Sequence, residues 1–212
     1  MKNFLIACCL LTGSAAPLSA AGPSVTAVHA FNSGLNCNGI YRVLDTGSTN
    51  SWISGDDGFY QPAALKPNYT ILNLVGTSSV TVDNVTGLMW VTNMVDAGVP
   101  AASSFTWVGA ISLCENLNYA GYDDWRLPNV KELMSIVGYN KSVCPIIDSN
   151  YFLNTQYLYY WSSTTYAPTT TSAWYVYFGC NSSNSTLYPT GGTYSFAKST
   201  YYFARCVRAG PY

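Results

Sequence analysis

Gly121-Tyr122-Asp123-Asp124-Trp125-Arg126-Leu127-Pro128-Asn129-Val130-Lys131-Glu132 is the stretch on which the fold turns. It gathers three acids, two bases and a Trp within twelve residues of a chain that is only 9% charged. Its two ends read as helix boundaries. Gly121 is placed to end one helix as a C-terminal glycine does. Pro128 and Asn129 open another, and Asn129 with Glu132 three residues on has the spacing of a capping box. Between those ends the two acids face two readings. Asp123 and Asp124 could begin a calcium site, but calcium takes about 6–8 oxygen ligands. The alternative is a turn in which Arg126 is partly buried and paired with Asp123, Asp124 or Glu132, as a buried guanidinium requires. We take the second: Asp123, Asp124, Trp125, Arg126 and Glu132 as scaffold, with no metal and no cofactor.

Immediately upstream, Trp107, Ala110, Ile111, Cys114 and Leu117 recur on one helical face, with Thr106 as N-cap. Downstream, Leu133, Ile136 and Val137 form the apolar side of the second helix. The segment 138–157 is irregular by its Pro and Asn/Asp content. Short β-like pieces flank this helical centre. On the N-terminal side they are Tyr41–Leu44, Thr70–Val75, Ser79–Val82 and Thr86–Val91. On the C-terminal side they are Tyr159–Thr164, Ala173–Phe178 and Tyr201–Arg208. In Ala173–Phe178, period-2 alternation puts Trp174, Val176 and Phe178 on one face and Tyr175 and Tyr177 on the other. Residues 181–195 read as loop. Trp90, Trp107, Trp125, Trp161 and Trp174 each sit in a patterned apolar element and are assigned to the core.

Residues 1–21 read as a secretory signal: Lys2, the apolar run Phe4–Leu11, and small residues before a cut after Ala21. Residues 22–40 form a polar lead-in, and 41–210 a single domain. No later apolar run is long enough for a membrane span. Removing the signal takes one base and no acid, so the exported chain carries about 8 − 10 = −2 charges, which argues against nucleic acid and against charge-driven polyanion binding. Export makes disulfides the expected fate of Cys37, Cys114, Cys144, Cys180 and Cys206. Five is odd, and five cysteines allow fifteen two-bridge arrangements. The one histidine, His29, lies in the lead-in, so neither a serine such as Ser162 nor a cysteine has an imidazole base beside it in the domain.

Taken together, five ordered motifs carry a resemblance: Thr86-Gly87-Leu88-Met89-Trp90; Trp107 with Cys114 and Leu117; Gly121–Pro128 with Lys131-Glu132-Leu133; Tyr160-Trp161-Ser162-Ser163-Thr164; and Cys206-Val207-Arg208. The chain closely resembles the bacterial domain family named after the C-terminal domain of the Legionella collagen-like adhesin. Asp45-Thr46-Gly47 and Gly55-Asp56-Asp57-Gly58-Phe59-Tyr60-Gln61 look like its lead-in, so the likeness spans roughly 41–208. Arg-Leu-Pro before a helix and the Arg-rich closing strand also resemble the sulfatase-modifying factors, which have C-type-lectin-like folds. The resemblance implies an α+β, C-type-lectin-like domain with two helices packed on antiparallel sheets. It implies an exported or surface-exposed protein. It pairs Cys114 with Cys206, both in family motifs, after which Cys144 and Cys180 make the second bridge. Cys37 is then left to stay free or to link a second chain.

Three functions follow as expectations. The first is a non-catalytic binding or adhesion module for a glycan or protein partner at a cell or matrix surface. Eighteen tyrosines, many among Ser, Thr, Asn and Gly late in the chain, have a paratope-like mix, with Tyr166, Tyr175, Tyr177, Tyr188 and Tyr194 as candidates. The second is an enzyme akin to the sulfatase-modifying factors, which would need a reactive cysteine pair near the closing strand. The third is an assembly subunit linked through Cys37.

Overall fold

A computed structural model describes residues 46, 51–54, 56, 59, 67–74, 78–141, 143–180 and 191–210. The signal, the lead-in with His29 and Cys37, the Tyr41–Leu44 strand and Tyr188 lie outside these. All described secondary structure falls in the compact unit Tyr41–Tyr212. In chain order it runs β1 (Tyr69–Asn73), β2 (Ser79–Asp83), β3 (Leu88–Val91), α1 (Trp107–Glu115), α2 (Val130–Ser135), β4 (Tyr159–Thr165), β5 (Ser172–Tyr177), β6 (Thr193–Ala197) and β7 (Val207–Ala209). The strands form two antiparallel sheets, β1-β2-β3-β7 and β4-β5-β6. The class is α+β.

The turn between β2 and β3 shows how local chemistry sets register. Asp83 accepts from the backbone N–H groups of Val85 (2.9 Å) and Thr86 (3.2 Å) and from the Thr86 hydroxyl (2.6 Å). Gly87 then takes φ +75°, a conformation that costs glycine little. Gly210, just past β7, packs so closely on Gly87 that a Cβ there would lie 1.9 Å from the Gly87 carbonyl oxygen.

Both sheets are packed on both faces. In β3, Met89 and Val91 point into a cluster with Ala110, Cys114, Trp125 and Trp161, while Leu88 and Trp90 point into a second cluster with Leu133, Ile136, Phe152 and Val176. Strand β4 divides in the same way, Trp161 to the first cluster and Tyr160 to the second. Pleat alternation therefore sorts side chains between two cores, α1 lying on one and α2 on the other. Trp90, Trp125 and Trp161 are fully buried, but Trp107 and Trp174 are only half-buried.

The first helix is shorter than its apolar spacing suggests. It ends at Glu115, capped by Asn116, and Leu117 lies beyond it. Gly121 is not its terminator. Instead Tyr119 and Tyr122 pair across a two-residue turn, exchanging N–H···O bonds of 3.0 and 3.1 Å. Ala120 (φ +59°) and Gly121 (φ +83°) fill the turn, the pattern of a type I′ hairpin, in which both central residues need positive φ. The second helix begins as its sequence indicates: the Asn129 side chain accepts from the N–H groups of Lys131 (2.9 Å) and Glu132 (3.0 Å), and Glu132 accepts from the Asn129 N–H (2.8 Å).

Disulfides join Cys114 to Cys206 and Cys144 to Cys180. The first ties α1 to the chain entering β7. The closing element is also shorter than expected: only Val207–Ala209 is strand, while Tyr202 and Phe203 make single bridges to Phe105 and Tyr160. Strand β6 was not legible, because Thr193–Ala197 continues a stretch of Gly, Ser and Thr that reads as loop.

Candidate functional site

Two groups of side chains compete for the site: the charges of residues 121–132 and the aromatic residues of β4-β5-β6. The charged group closes on itself. Arg126 donates from both terminal nitrogens to Glu132, at 2.8 and 2.7 Å, a bidentate pair. Of the three acids offered as its partner, Glu132 is the one found. Asp124 belongs to Arg208, which donates to it at 2.6 and 3.1 Å and lays its guanidinium 3.9 Å from the Tyr122 ring centre. These bonds hold the Asp124 carboxyl below its usual pKa. Asp123 is exposed. Trp125 is buried and donates from its indole nitrogen to the Tyr119 carbonyl (3.1 Å).

The same turn is fastened to its surroundings through the backbone. Arg126 and Val207 exchange two bonds of 2.9 Å, Ser163 donates to the Pro128 carbonyl (2.8 Å), and Val130 donates to the Thr164 hydroxyl (3.0 Å). It thus bridges β7 to β4. Among the described residues no group of three or more His, Cys, Asp or Glu side chains is placed to hold a metal ion. Asp56, in the upstream loop, is occupied by the backbone N–H groups of Trp52 (2.6 Å), Ile53 (3.1 Å) and Phe59 (2.9 Å), which lower its pKa.

The aromatic group has a different character. Because β5 pairs antiparallel with β4, in unbroken register from Tyr159 to Trp161, and with β6 along its length, alternate residues line up across the sheet. Tyr159 lies opposite Tyr177, Trp161 opposite Tyr175, and Tyr175 opposite Tyr194. Phe196 follows two residues after Tyr194 on the same face, and Tyr202 lies across it. Tyr159 and Tyr177 stack at 4.9 Å; Tyr202 lies 4.6 Å from Trp161 and 5.0 Å from both Tyr159 and Tyr175; Tyr194 and Phe196 continue the row at 6.0 Å from Tyr175 and 6.2 Å from Tyr202. The result is a single layer of seven rings. Exposure grades across it: Trp161 is buried, Tyr159, Tyr177, Tyr194 and Tyr202 are half-buried, and Phe196 is 51% exposed; Tyr201, next to Tyr202 in the chain, is 65% exposed.

Of the five tyrosines selected from sequence, this layer unites Tyr175, Tyr177 and Tyr194. Tyr175 has to be corrected as a contact residue: at 3% exposure, wedged among Trp161, Tyr159 and Tyr202, it has no face to offer a ligand. Tyr166 is apart from the layer, edge-on to Trp174 at 5.2 Å, on the side of β5 away from Tyr175. Sequence reasoning missed Tyr159, Phe196, Tyr201 and Tyr202. Counting back by two from Trp161 finds Tyr159; Phe196 required β6 to be seen as a strand.

A family model described as the Lcl C-terminal domain matches residues 79–208, more than half the chain and through the turn, the aromatic strands and the closing strand. The chain belongs to that family. The match starts at β2, yet β1 pairs with β2 along its whole length, from Tyr69↔Asp83 to Asn73↔Ser79, so the folded unit here extends upstream of the matched Lcl residues. No curated protein matches the chain. Among the described residues no helix is long and apolar enough to cross a membrane.

Proposed function

We propose that this member of the Lcl C-terminal domain family is an exported, non-catalytic binding module, and that it holds an uncharged glycan or a polar protein partner against the aromatic layer of β4-β5-β6. The observation that carries this reading is the graded exposure of the layer: buried rings pack against half-buried ones, Phe196 stands out at its edge, and Tyr201, next to Tyr202 in the chain, is more exposed still. Rigid rings lose little side-chain entropy on contact, and their faces suit the C–H groups of sugar rings. The small negative net charge favours uncharged ligands over polyanions.

Two disulfides suit an oxidising compartment outside the cytoplasm, in line with the signal-like start of the chain. A C-type-lectin-like arrangement fits the two helices, the two antiparallel sheets and the pairing of early and final strands in one sheet. Chemistry of the sulfatase-modifying kind calls for a reactive cysteine pair near the closing strand, and Cys206 there is bonded to Cys114.

The test is a glycan and matrix-protein binding panel with residues 22–212, followed by the same panel with Phe196→Ala and Tyr201→Ala combined. A ligand that binds wild type and loses about tenfold or more in affinity in the variant supports the reading; a hot-spot ring is worth at least that much. Unchanged binding would remove this face as the site.

A further inference from the structure

Strand β6 ends the sheet β4-β5-β6, and its outer edge is open. The opposite end of that sheet is closed, because Trp161 donates to the Phe203 carbonyl and Phe203 to the Tyr159 carbonyl, both at 2.9 Å. The phase of β6 follows from its bonds to β5. Tyr177 donates to the Gly192 carbonyl (3.0 Å) and Lys198 to the Thr171 carbonyl (2.9 Å), with Tyr194 opposite Tyr175 and Phe196 opposite Ala173 between them. Gly192, Tyr194 and Phe196 therefore turn their backbone groups toward β5, and Thr193, Ser195 and Ala197 turn theirs outward. Among the described residues, the Ala197 carbonyl takes the Thr200 N–H (2.9 Å), and the other outward amides and carbonyls have no partner.

An open edge is a template for another strand, and natural edges are blunted by a charge, a proline or a bulge. Strand β6 has none of these: Thr193-Tyr194-Ser195-Phe196-Ala197 is uncharged and pairs with β5 in unbroken register. Lys198, the next residue, is drawn back into the fold, its Nζ 2.9 Å from the Thr165 hydroxyl and 3.9 Å from the centre of the Trp107 ring. Phe196 and Ala197 are exposed, and Ser195 is half-buried.

The edge is complementary to itself. Set antiparallel about a twofold axis at Ser195, two copies of β6 place Ser195 opposite Ser195, Thr193 opposite Ala197 and Tyr194 opposite Phe196. The two Ser195 residues exchange both N–H···O bonds, and each Ala197 N–H meets the Thr193 carbonyl of the other copy. Tyr194 and Phe196 then form non-hydrogen-bonded pairs, in which facing side chains lie closest, so ring meets ring on both sides of the axis. Strand β1 also ends a sheet, but the same operation there sets Thr70 against Leu72, a polar side chain against an apolar one.

We propose that β6 is a homodimer interface: two copies of this chain join edge to edge about Ser195, three strands from each forming one continuous sheet whose aromatic layer runs across the axis. The proposal does not rest on the glycan reading, since the dimer needs no ligand.

The experiment is sedimentation equilibrium of residues 22–212 carrying Cys37→Ser, which leaves no cysteine outside the two disulfides. Protein concentration runs from about 1 μM to about 1 mM, the span of weak, transient association. A mass rising from one copy toward two is expected. Ser195→Lys sets two like charges face to face at the axis, as does Ser195→Asp, and each alone should weaken the dimer by about tenfold or more. An equimolar mixture of the two variants should associate at least as strongly as the parent protein, an outcome that requires Ser195 at the axis. Amide exchange gives a reading without any change at Ser195: its N–H should exchange more slowly as protein concentration rises, whereas the Tyr194 N–H, turned toward β5, should not respond. A mass of one copy throughout, undiminished association in a folded single variant, a mixture that associates no better than its parts, or Ser195 exchange independent of concentration would each overturn the proposal.

Discussion

The turn at 121–132 and the aromatic layer of β4-β5-β6 differ in chemical kind. The turn concentrates charge, and most of it is paired within the fold: Arg126 with Glu132, Asp124 with Arg208, Asn129 and Glu132 with each other's backbone, leaving Asp123 and Lys131 exposed. The layer has almost no charge and is built from large rings whose exposure rises steadily toward one edge. Charge density would have selected the turn as the site. The geometry argues the reverse, because groups that satisfy one another have little left for a ligand, whereas partly buried rings can still gain by losing water.

The two regions should fail differently when cut. Trp125→Ala removes a fully buried ring from the first core and should cost about 3–5 kcal/mol, read as a drop in denaturation midpoint. Phe196→Ala, half-exposed, should move the midpoint by no more than about 0.5 kcal/mol. If the two cost the same, the contrast between scaffold and surface collapses.

Smaller changes sharpen the picture of the turn. Glu132→Ala breaks both the capping box and the Arg126 pair, and a loss of roughly 1–2 kcal/mol is expected in urea unfolding, because the pair is partly exposed and the cap supplies much of the effect. Ala120→Gly should go the other way, stabilising by about 1 kcal/mol, since Ala120 holds a left-handed conformation that glycine adopts without strain. Asp124→Asn gives the smallest effect and a distinctive pH signature. The folded pKa of Asp124 is depressed by Arg208, so its contribution is complete above the unfolded value of about 3.9 and is lost as pH falls through the folded value. Melting curves of wild type and Asp124→Asn should therefore differ at neutral pH and converge in acid.

How much of this could be read from sequence varies with the range of the interaction. The capping box of Asn129 and Glu132 was fully legible because every atom in it lies within four residues. The pairing of Arg126 was legible only as a choice among nearby acids, and the partner of Asp124 was not legible at all, since Arg208 is 84 residues away and is brought to it by the backbone bridge between Arg126 and Val207. Tyr175 was misjudged because period-2 alternation says which residues share a face but not whether another segment covers it; Tyr202 does. Gly121 was misread as the end of the first helix, because a glycine at positive φ suits a helix end and a type I′ hairpin alike, and only the Tyr119–Tyr122 pairing separates the two. Both disulfides join the cysteines that the family motifs and their remainder selected.

The claim that recognition belongs to the layer and stability to the turn is tested most directly by measuring binding and unfolding on the same pair of variants. With a ligand identified for the wild-type protein, Phe196→Ala combined with Tyr201→Ala should lose binding by about tenfold or more while keeping its melting temperature, and Glu132→Ala should lose melting temperature while keeping its affinity below the transition. The opposite result, affinity lost on breaking the Arg126–Glu132 pair and retained without the exposed rings, would move the site to the turn.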